Sequence, residues 1–307
     1  ALVVVPVVAV QQAEARRAAQ IVAAADRNNP GAAALVPGFQ YQGDPDAVNV
    51  PVVTGDFYQK PGLGETCPVE LGLSEAHQEW CFDTVPNAAP AATLMVIGNS
   101  HVHMWMPAIE QLAQEQNWRV VTYIRGACLY ATAEEQVADH EACARWLEGA
   151  EAAVEAVDPE LVLVQGTRST EQNEEMLTPG TEARIRALAE RGSQVIAVRD
   201  NARFDFPPAF CAVEKGEDDP SCAPGHVVLG PESPLRRVAD ELPGVSMVDM
   251  GDLICPEGRC TPVIGNVYTY WDTNHLTVEY VRSLAPMFTQ RVREALATDG
   301  TEVPALP

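Results

Sequence analysis

Three residues in this chain have the types and spacing for acyl chemistry. Ser100 lies in VIGNSHVHMW, Val96 to Trp105, where an apolar run stops in small polar residues. A strand that ends in Gly-Asn-Ser and turns at once into a helix holds a hydroxyl out toward solvent. The free N–H groups and dipole of that helix start favour the oxyanion formed when serine attacks a carbonyl. Asp272 and His275 stand three apart in YWDTNHLTVEY, just ahead of the last helical pattern. One turn of chain brings the carboxylate to the imidazole, fixing its tautomer and stabilising the imidazolium, while the other ring nitrogen takes the serine proton. Taken singly, Ser100 reads first as a helix cap and His275 can be a satisfied structural histidine. A strand-end serine followed near the C-terminus by Asp-x-x-His points instead to nucleophilic catalysis.

Other chemistry-bearing residues carry less. His101 and His103 form a His-x-His pair with no third ligand at suitable spacing, so no metal is expected, and nothing calls for a cofactor. Trp105 falls at helical spacing with Ile109 and Leu112 and reads as core. Trp80, Trp146 and Trp271 are less constrained; Trp271, beside the acid, suits either a glycan cleft or core packing. The runs EAEA and EKGEDD read as solvated surface.

For Ser100 and His275 to meet, the elements between them must fold into one layered body. From Ala91 onward short apolar runs alternate with helical patterns: ATLMVIG, RVVTYI, LVLVQG, QVIAVRD and VSMVDM, with helices between, then a last helix with Val281, Leu284, Phe288 and Val292 on one face. Continuous apolar strands separated by helices predict a mainly parallel sheet covered on both faces, an α/β class three-layer α/β/α sandwich. Ligand sites in such sheets lie at the carboxyl ends of the strands, where Ser100 falls. Pro286 inside the last helix predicts a kink. Ahead of this core, Gln11 to Arg27 reads as a helix ended by NNPGAAALVPG, and Phe39 to Pro90 is rich in Pro, Gly and acidic residues without a sustained period. The expected division is therefore an extension over residues 1–90 and a catalytic domain over 91–307, with no internal repeats.

Composition narrows the function classes. With 307 residues, 47% of them apolar, the chain can bury a full core. A net charge of -23 with only 20 Lys and Arg excludes nucleic acid as a natural partner. The eight cysteines Cys67, Cys81, Cys128, Cys143, Cys211, Cys222, Cys255 and Cys260 include no CxxC pair and fall as four near neighbours. The short spacings and Pro- and Gly-bearing loops predict sequential disulfides, Cys67 with Cys81, Cys128 with Cys143, Cys211 with Cys222 and Cys255 with Cys260, and hence an oxidising compartment. No signal peptide is visible, and the apolar stretch ALVVVPVVAV is far short of a membrane span. The expectation is an excised or processed extracytoplasmic piece.

On GNSH and DTNHLT, about Ala91 to Leu296 resembles the SGNH (GDSL-like) hydrolases, in particular the SGNH domains fused behind membrane-bound acyltransferase-3 domains. DLICPEGRC, and RDNARFDF followed by Cys211, are further similarities to the fused subgroup. The resemblance implies Ser100 as nucleophile, His275 as general base and Asp272 as its orienting acid. It implies an oxyanion hole made by the N–H groups of Ser100 and of Gly126 in IRGACLY. The third block falls on QGTRST: Gly166 and Thr167 match, but Arg168 holds the position of an asparagine whose side chain completes the hole. Either Arg168 supplies a donor, or another group does, or the hole has only backbone donors; losing one such donor costs about 3 to 4 kcal/mol in the barrier, which favours a slow enzyme or an already activated acyl donor. Asn99 stands where the family has aspartate and keeps a hydrogen-bond acceptor.

The function so implied is an extracytoplasmic O-acyltransferase, O-acetyl by expectation, acting on a cell-envelope glycan or glycolipid. Its acyl donor would come from an upstream membrane acyltransferase domain that also anchors it. A carbohydrate O-acetylesterase with the same triad, and a catalytically degenerate glycan-binding domain, are the alternatives.

Overall fold

The computed structural model describes residues 20, 24–53, 57 and 59–298. Most of the helix expected over Gln11 to Arg27 lies outside them; residues 24–28 are helical. The strands, in chain order, are β1 (Glu65–Thr66), β2 (Cys81–Val85), β3 (Ala92–Gly98), β4 (Trp118–Ile124), β5 (Leu161–Gln165), β6 (Arg168–Ser169), β7 (Glu175–Met176), β8 (Gln194–Val198), β9 (Val245–Val248), β10 (Val263–Ile264) and β11 (Val267–Tyr268). Seven form one sheet in the order β1-β2-β4-β3-β5-β8-β9, with β6 and β7, and β10 and β11, as separate two-stranded ribbons. The five strands from β4 to β9 in that order are parallel, and β1 and β2 add antiparallel at the β4 edge.

The parallel strands are apolar throughout because both faces are covered. Successive side chains point to opposite faces, so Leu94 and Val96 join one core cluster and Met95 and Ile97 the other. The first cluster contains Trp105, Ile109 and Leu112 from the helix region ending at Gln116, and Tyr280, Val281, Leu284, Phe288 and Val292 from the C-terminal helix Val278–Thr298. Trp105 stacks on Phe288 at 5.3 Å between ring centroids. The second holds the helices His140–Val157, Pro179–Glu190 and Leu235–Glu241 through Trp146, Leu147, Ile185, Leu188, Leu235 and Val238. This is the α/β/α sandwich with a mainly parallel sheet. The C-terminal helix continues as one element across Pro286.

Strands β1 and β2 arise inside the Pro- and Gly-rich stretch ahead of Ala91. The Cys67–Cys81 disulfide and a bidentate pair from Arg119 to Asp83, at 3.1 and 2.9 Å, fasten this edge. Further upstream, the 3-10 turn Gly31–Leu35 docks on the C-terminal helix, where Ala32 N donates to Ser283 Oγ at 2.9 Å. Gly31 has φ +53°, and a Cβ there would lie 2.2 Å from Ser283 Oγ, so both backbone and space call for glycine. The other disulfides are Cys128–Cys143, Cys211–Cys222 and Cys255–Cys260. They close loops that follow β4, β8 and β9, at the edge of the sheet where Ser100 sits. Among the described residues no helix is long and apolar enough to cross a membrane.

Candidate active site

At the carboxyl end of β3 the chain must leave the sheet and start a helix within two residues. Gly98 makes the bend with φ +153°, and a Cβ there would sit 2.6 Å from Val102 Cγ2. Asn99, buried, caps the short helix Ser100–His103: its Oδ1 accepts from His101 N at 2.8 Å. Ser100 therefore occupies the first turn with its side chain partly exposed. Alongside, Arg125 N donates to Gly98 O at 3.1 Å, extending the β3–β4 ladder and bringing Gly126 past the end of β4.

Asp272 and His275 come from the loop between β11 and the C-terminal helix. Asp272 Oδ1 accepts from Asn274 N at 2.8 Å and His275 N at 2.7 Å, and Oδ2 meets His275 Nδ1 at 2.7 Å. His275 Nε2 lies 2.8 Å from Ser100 Oγ. A carboxylate only accepts, so Nδ1 carries the proton and Nε2 is free to take the hydroxyl proton. Burial pushes the Asp272 carboxyl up, but the hydrogen bond and charge of His275 and the two backbone N–H groups outweigh it and hold the pKa below the usual aspartate value. The loop is tied down from the segment after β8: Asn201 Nδ2 donates to Asn274 O at 2.8 Å and Phe204 N to Thr273 O at 2.7 Å. Trp271 stacks on the His275 ring at 5.1 Å and 24°.

The third-block residues follow β5. Thr167 Oγ1 accepts from Asp200 N at 3.1 Å. Arg168 pairs its backbone with Met176 in the small ribbon, and its half-buried side chain lines a narrow recess with Gly98, Asn99 and Tyr130. Among the described residues its guanidinium has no hydrogen-bond or ion-pair partner.

A second histidine–carboxylate pair, which sequence reasoning missed, sits against the first. His101 Nδ1 lies 2.7 Å from Asp200 Oδ1. Asp200 Oδ2 accepts from Ser169 N and Ser169 Oγ, both at 2.7 Å. Arg203 Nη2 lies 3.1 Å from His101 Nε2, and Arg203 Nε donates to Ser169 Oγ at 2.9 Å. A guanidinium nitrogen only donates, so His101 Nε2 accepts and its proton sits on Nδ1, facing Asp200. Burial raises the Asp200 pKa, but His101 with its hydrogen bond, the Arg203 charge and the Ser169 N–H overcome it and lower it to about 2. The signal in the sequence was the position of Asp200, two residues past the end of the apolar run QVIAV.

The remaining candidates disperse. His103 turns away from His101 to the Pro61 carbonyl at 2.7 Å, and burial lowers its pKa below the ordinary histidine value despite that bond. Trp105 and Trp146 are core, and Trp80 lies beneath Arg125, whose guanidinium carbon is 5.8 Å from the ring centroid. A cavity of about 840 Å³ opens at the ends of β8 and β9, lined by Asn201, Leu229, Asp249 and Ile254 among others.

Residues 66–290 match the family model for the SGNH domain that is fused to AT3 domains. No curated protein matches the chain. Among solved structures, the periplasmic domain of a lipopolysaccharide acetyltransferase from Salmonella ser. Paratyphi A is similar, with 13% sequence identity and a TM-score of 0.49, over 69% of this chain and 85% of that one.

Proposed function

This chain belongs to the family of SGNH domains fused to AT3 domains, and from that premise we propose that it is an extracytoplasmic serine-dependent O-acyltransferase domain. The group transferred is acyl, O-acetyl by preference, and the acceptor is a hydroxyl of a cell-envelope glycan or glycolipid. A membrane-embedded AT3 domain of the same protein presents the acyl donor and anchors the domain. The observation that carries the reading is the pair of short contacts on His275: Nε2 to Ser100 Oγ at 2.8 Å and Nδ1 to Asp272 at 2.7 Å. An assembled nucleophile, base and orienting acid favours catalysis over glycan presentation alone. Four disulfides support the oxidising compartment.

In this mechanism Ser100 Oγ attacks the acyl carbonyl while its proton passes to His275 Nε2. The carbonyl electron pair moves onto oxygen, where the N–H groups of Ser100 and Gly126 receive it, with Arg168 as a further candidate donor. The intermediate collapses, the bond to the donor's leaving oxygen breaks, and His275 returns the proton to that oxygen. An acceptor hydroxyl then gives its proton to His275 and attacks the acyl-serine; the second intermediate collapses, the acyl–Oγ bond breaks, and His275 returns the proton to Ser100 Oγ. All three triad residues are partly exposed, which suits a macromolecular acceptor.

The test is acetate release from p-nitrophenyl acetate with and without envelope oligosaccharides, together with mass spectrometry of the sugars and of protein treated with a sulfonyl fluoride. The adduct is expected on Ser100 and absent from His275→Ala, with acetylated sugar formed when oligosaccharide is present. Hydrolysis with no sugar product puts the esterase first; no Ser100 adduct and no turnover leave the glycan-binding module.

A further inference from the structure

The His101, Asp200, Ser169 and Arg203 cluster takes no part in the triad, yet it is more elaborately satisfied than the triad itself. Arg203 is held at several points. Its Nε donates to Ser169 Oγ at 2.9 Å, its Nη2 approaches His101 Nε2 at 3.1 Å and Asp200 Oδ2 at 3.8 Å, and its backbone N donates to the Asn173 side chain at 2.6 Å. Asp200 and His101 are buried, so the guanidinium rests on a rigid, charge-compensated platform. The two N–H groups of Nη1 remain unspent. Among the described residues Arg203 Nη1 has no partner, and the side chain is 19% exposed.

The topology brings this cluster to the same end of the sheet as the nucleophile. Ser100 follows β3, Ser169 follows β5 and Arg203 follows β8, three strands adjacent and parallel in the sheet. Arg203 reaches back over the end of β5 to Ser169 and meets His101, the residue directly after Ser100. The His101 ring lies 4.9 Å from that of His275. Ser169 is also the residue next to Arg168, where the third-block asparagine was expected. The end of β5 thus receives a fixed guanidinium from β8, whereas Arg168's own guanidinium has no partner among the described residues. A donor useful for a developing negative charge is one already in place, because orienting it during the reaction costs what the interaction returns.

We propose that Arg203, positioned by His101 and Asp200, is the side-chain donor to the acyl oxyanion in this domain, replacing the missing asparagine. The inference rests on the serine chemistry proposed above. When Ser100 Oγ bonds to the acyl carbon and the carbonyl pair moves to oxygen, an Nη1 N–H donates to that oxygen, and the bond is released when the pair returns and the leaving oxygen departs. No proton leaves the guanidinium, which acts only as a hydrogen-bond donor.

The experiment measures kcat and KM for p-nitrophenyl acetate, a neutral substrate, in wild type, Arg203→Ala, Arg203→Lys and Arg168→Ala, with melting curves for each. The expected result is a loss of about 10²- to 10³-fold in kcat for Arg203→Ala with KM nearly unchanged, the size seen on removing one oxyanion donor. A smaller loss is expected for Arg203→Lys and for Arg168→Ala, and partial rescue of Arg203→Ala by millimolar guanidinium ion. Rescue separates a missing donor from a disturbed fold, since free guanidinium restores no packing. A wild-type kcat in a folded Arg203→Ala protein, a loss confined to KM, or a loss without rescue that matches a fall in melting temperature overturns the proposal. If wild type itself is inactive and Ser100 takes no label, it is the serine-enzyme reading that fails.

Discussion

The imidazole rings of His101 and His275 lie with centroids 4.9 Å apart and planes inclined by 42°. Each ring meets a carboxylate through Nδ1 at 2.7 Å, Asp200 in one case and Asp272 in the other. Only the far nitrogen differs: Arg203 caps His101 Nε2, and Ser100 faces His275 Nε2. The two rings thus share a residue type and a carboxylate partner and differ in what faces Nε2.

Asp272→Asn is expected to lower kcat by about 10⁴-fold while leaving the melting temperature within a few degrees of wild type. An asparagine still accepts the Asn274 and His275 backbone N–H groups through one oxygen, so the loop keeps its shape. Its amide, however, presents donors to His275 Nδ1, drives the ring proton to Nε2 and leaves nothing to receive the serine hydroxyl. Steady-state hydrolysis of an activated acetyl ester checks it; a loss below tenfold would show that Asp272 does not set the tautomer.

The Asp200 cluster makes a separate contribution to acid stability. The folded pKa of about 2 lies below an unfolded value of about 3.9, so the stabilisation is fully present above pH ~4 and is lost as pH falls toward 2. The difference corresponds to about 2.5 kcal/mol. Asp200→Asn should therefore be less stable than wild type at pH 7 by a margin of that order, and the gap should narrow between pH 4 and 2. Urea unfolding at a series of pH values measures it; a gap independent of pH would assign the loss to packing.

How much of this was legible in the sequence depended on how far apart the cooperating residues stand. Ser100 announced itself through a local change, apolar strand to Gly-Asn-Ser, and Asp272 and His275 through a spacing of one turn. The long apolar runs likewise predicted the parallel strands, because burial on both faces leaves no other composition. The Arg203–His101 contact joins residues on different strands and exists only once β3, β5 and β8 lie side by side, which no local pattern encodes. Strand β1 is two residues long, and β2 carries Asp83 and Thr84 in a Pro- and Gly-rich stretch, so neither has a periodic signature. The sheet consequently starts before Ala91. At Pro286 the helix continues instead of ending, its apolar face held by Val281, Leu284, Phe288 and Val292.

Gly98→Ala should damage catalysis as well as stability. The added Cβ meets Val102 Cγ2 at 2.6 Å and the φ of +153° is unfavourable for alanine, so the bend that presents Ser100 must shift. A shift of even 1 Å in a reacting group costs about 10²-fold in rate, against about 1 to 3 kcal/mol in folding free energy for the strained residue. Relieving the clash with Val102→Ala should not restore kcat, because the backbone strain persists. Recovery in the double variant would place the whole effect in the clash.

The Cys128–Cys143 bridge should matter to activity in a way that Cys67–Cys81 does not. Their sequence separations are 15 and 14, so the chain-entropy model assigns each nearly the same stabilisation, about 3 kcal/mol. Their positions differ. Cys128 lies two residues beyond Gly126, whose N–H is proposed to face the oxyanion, and its partner sits on the buried face of the helix His140–Val157. Cys67 and Cys81 instead fasten β1 and β2 at the far edge of the sheet. Replacing either pair by alanine should lower the melting temperature by a similar amount. At a temperature where both variants remain folded, Cys128→Ala/Cys143→Ala should lose kcat, about tenfold or more given the value of one oxyanion donor, while Cys67→Ala/Cys81→Ala keeps it. Equal kcat in the two variants would mean that the loop after β4 holds its course without the bridge, and that Gly126 is positioned by the β3–β4 ladder alone.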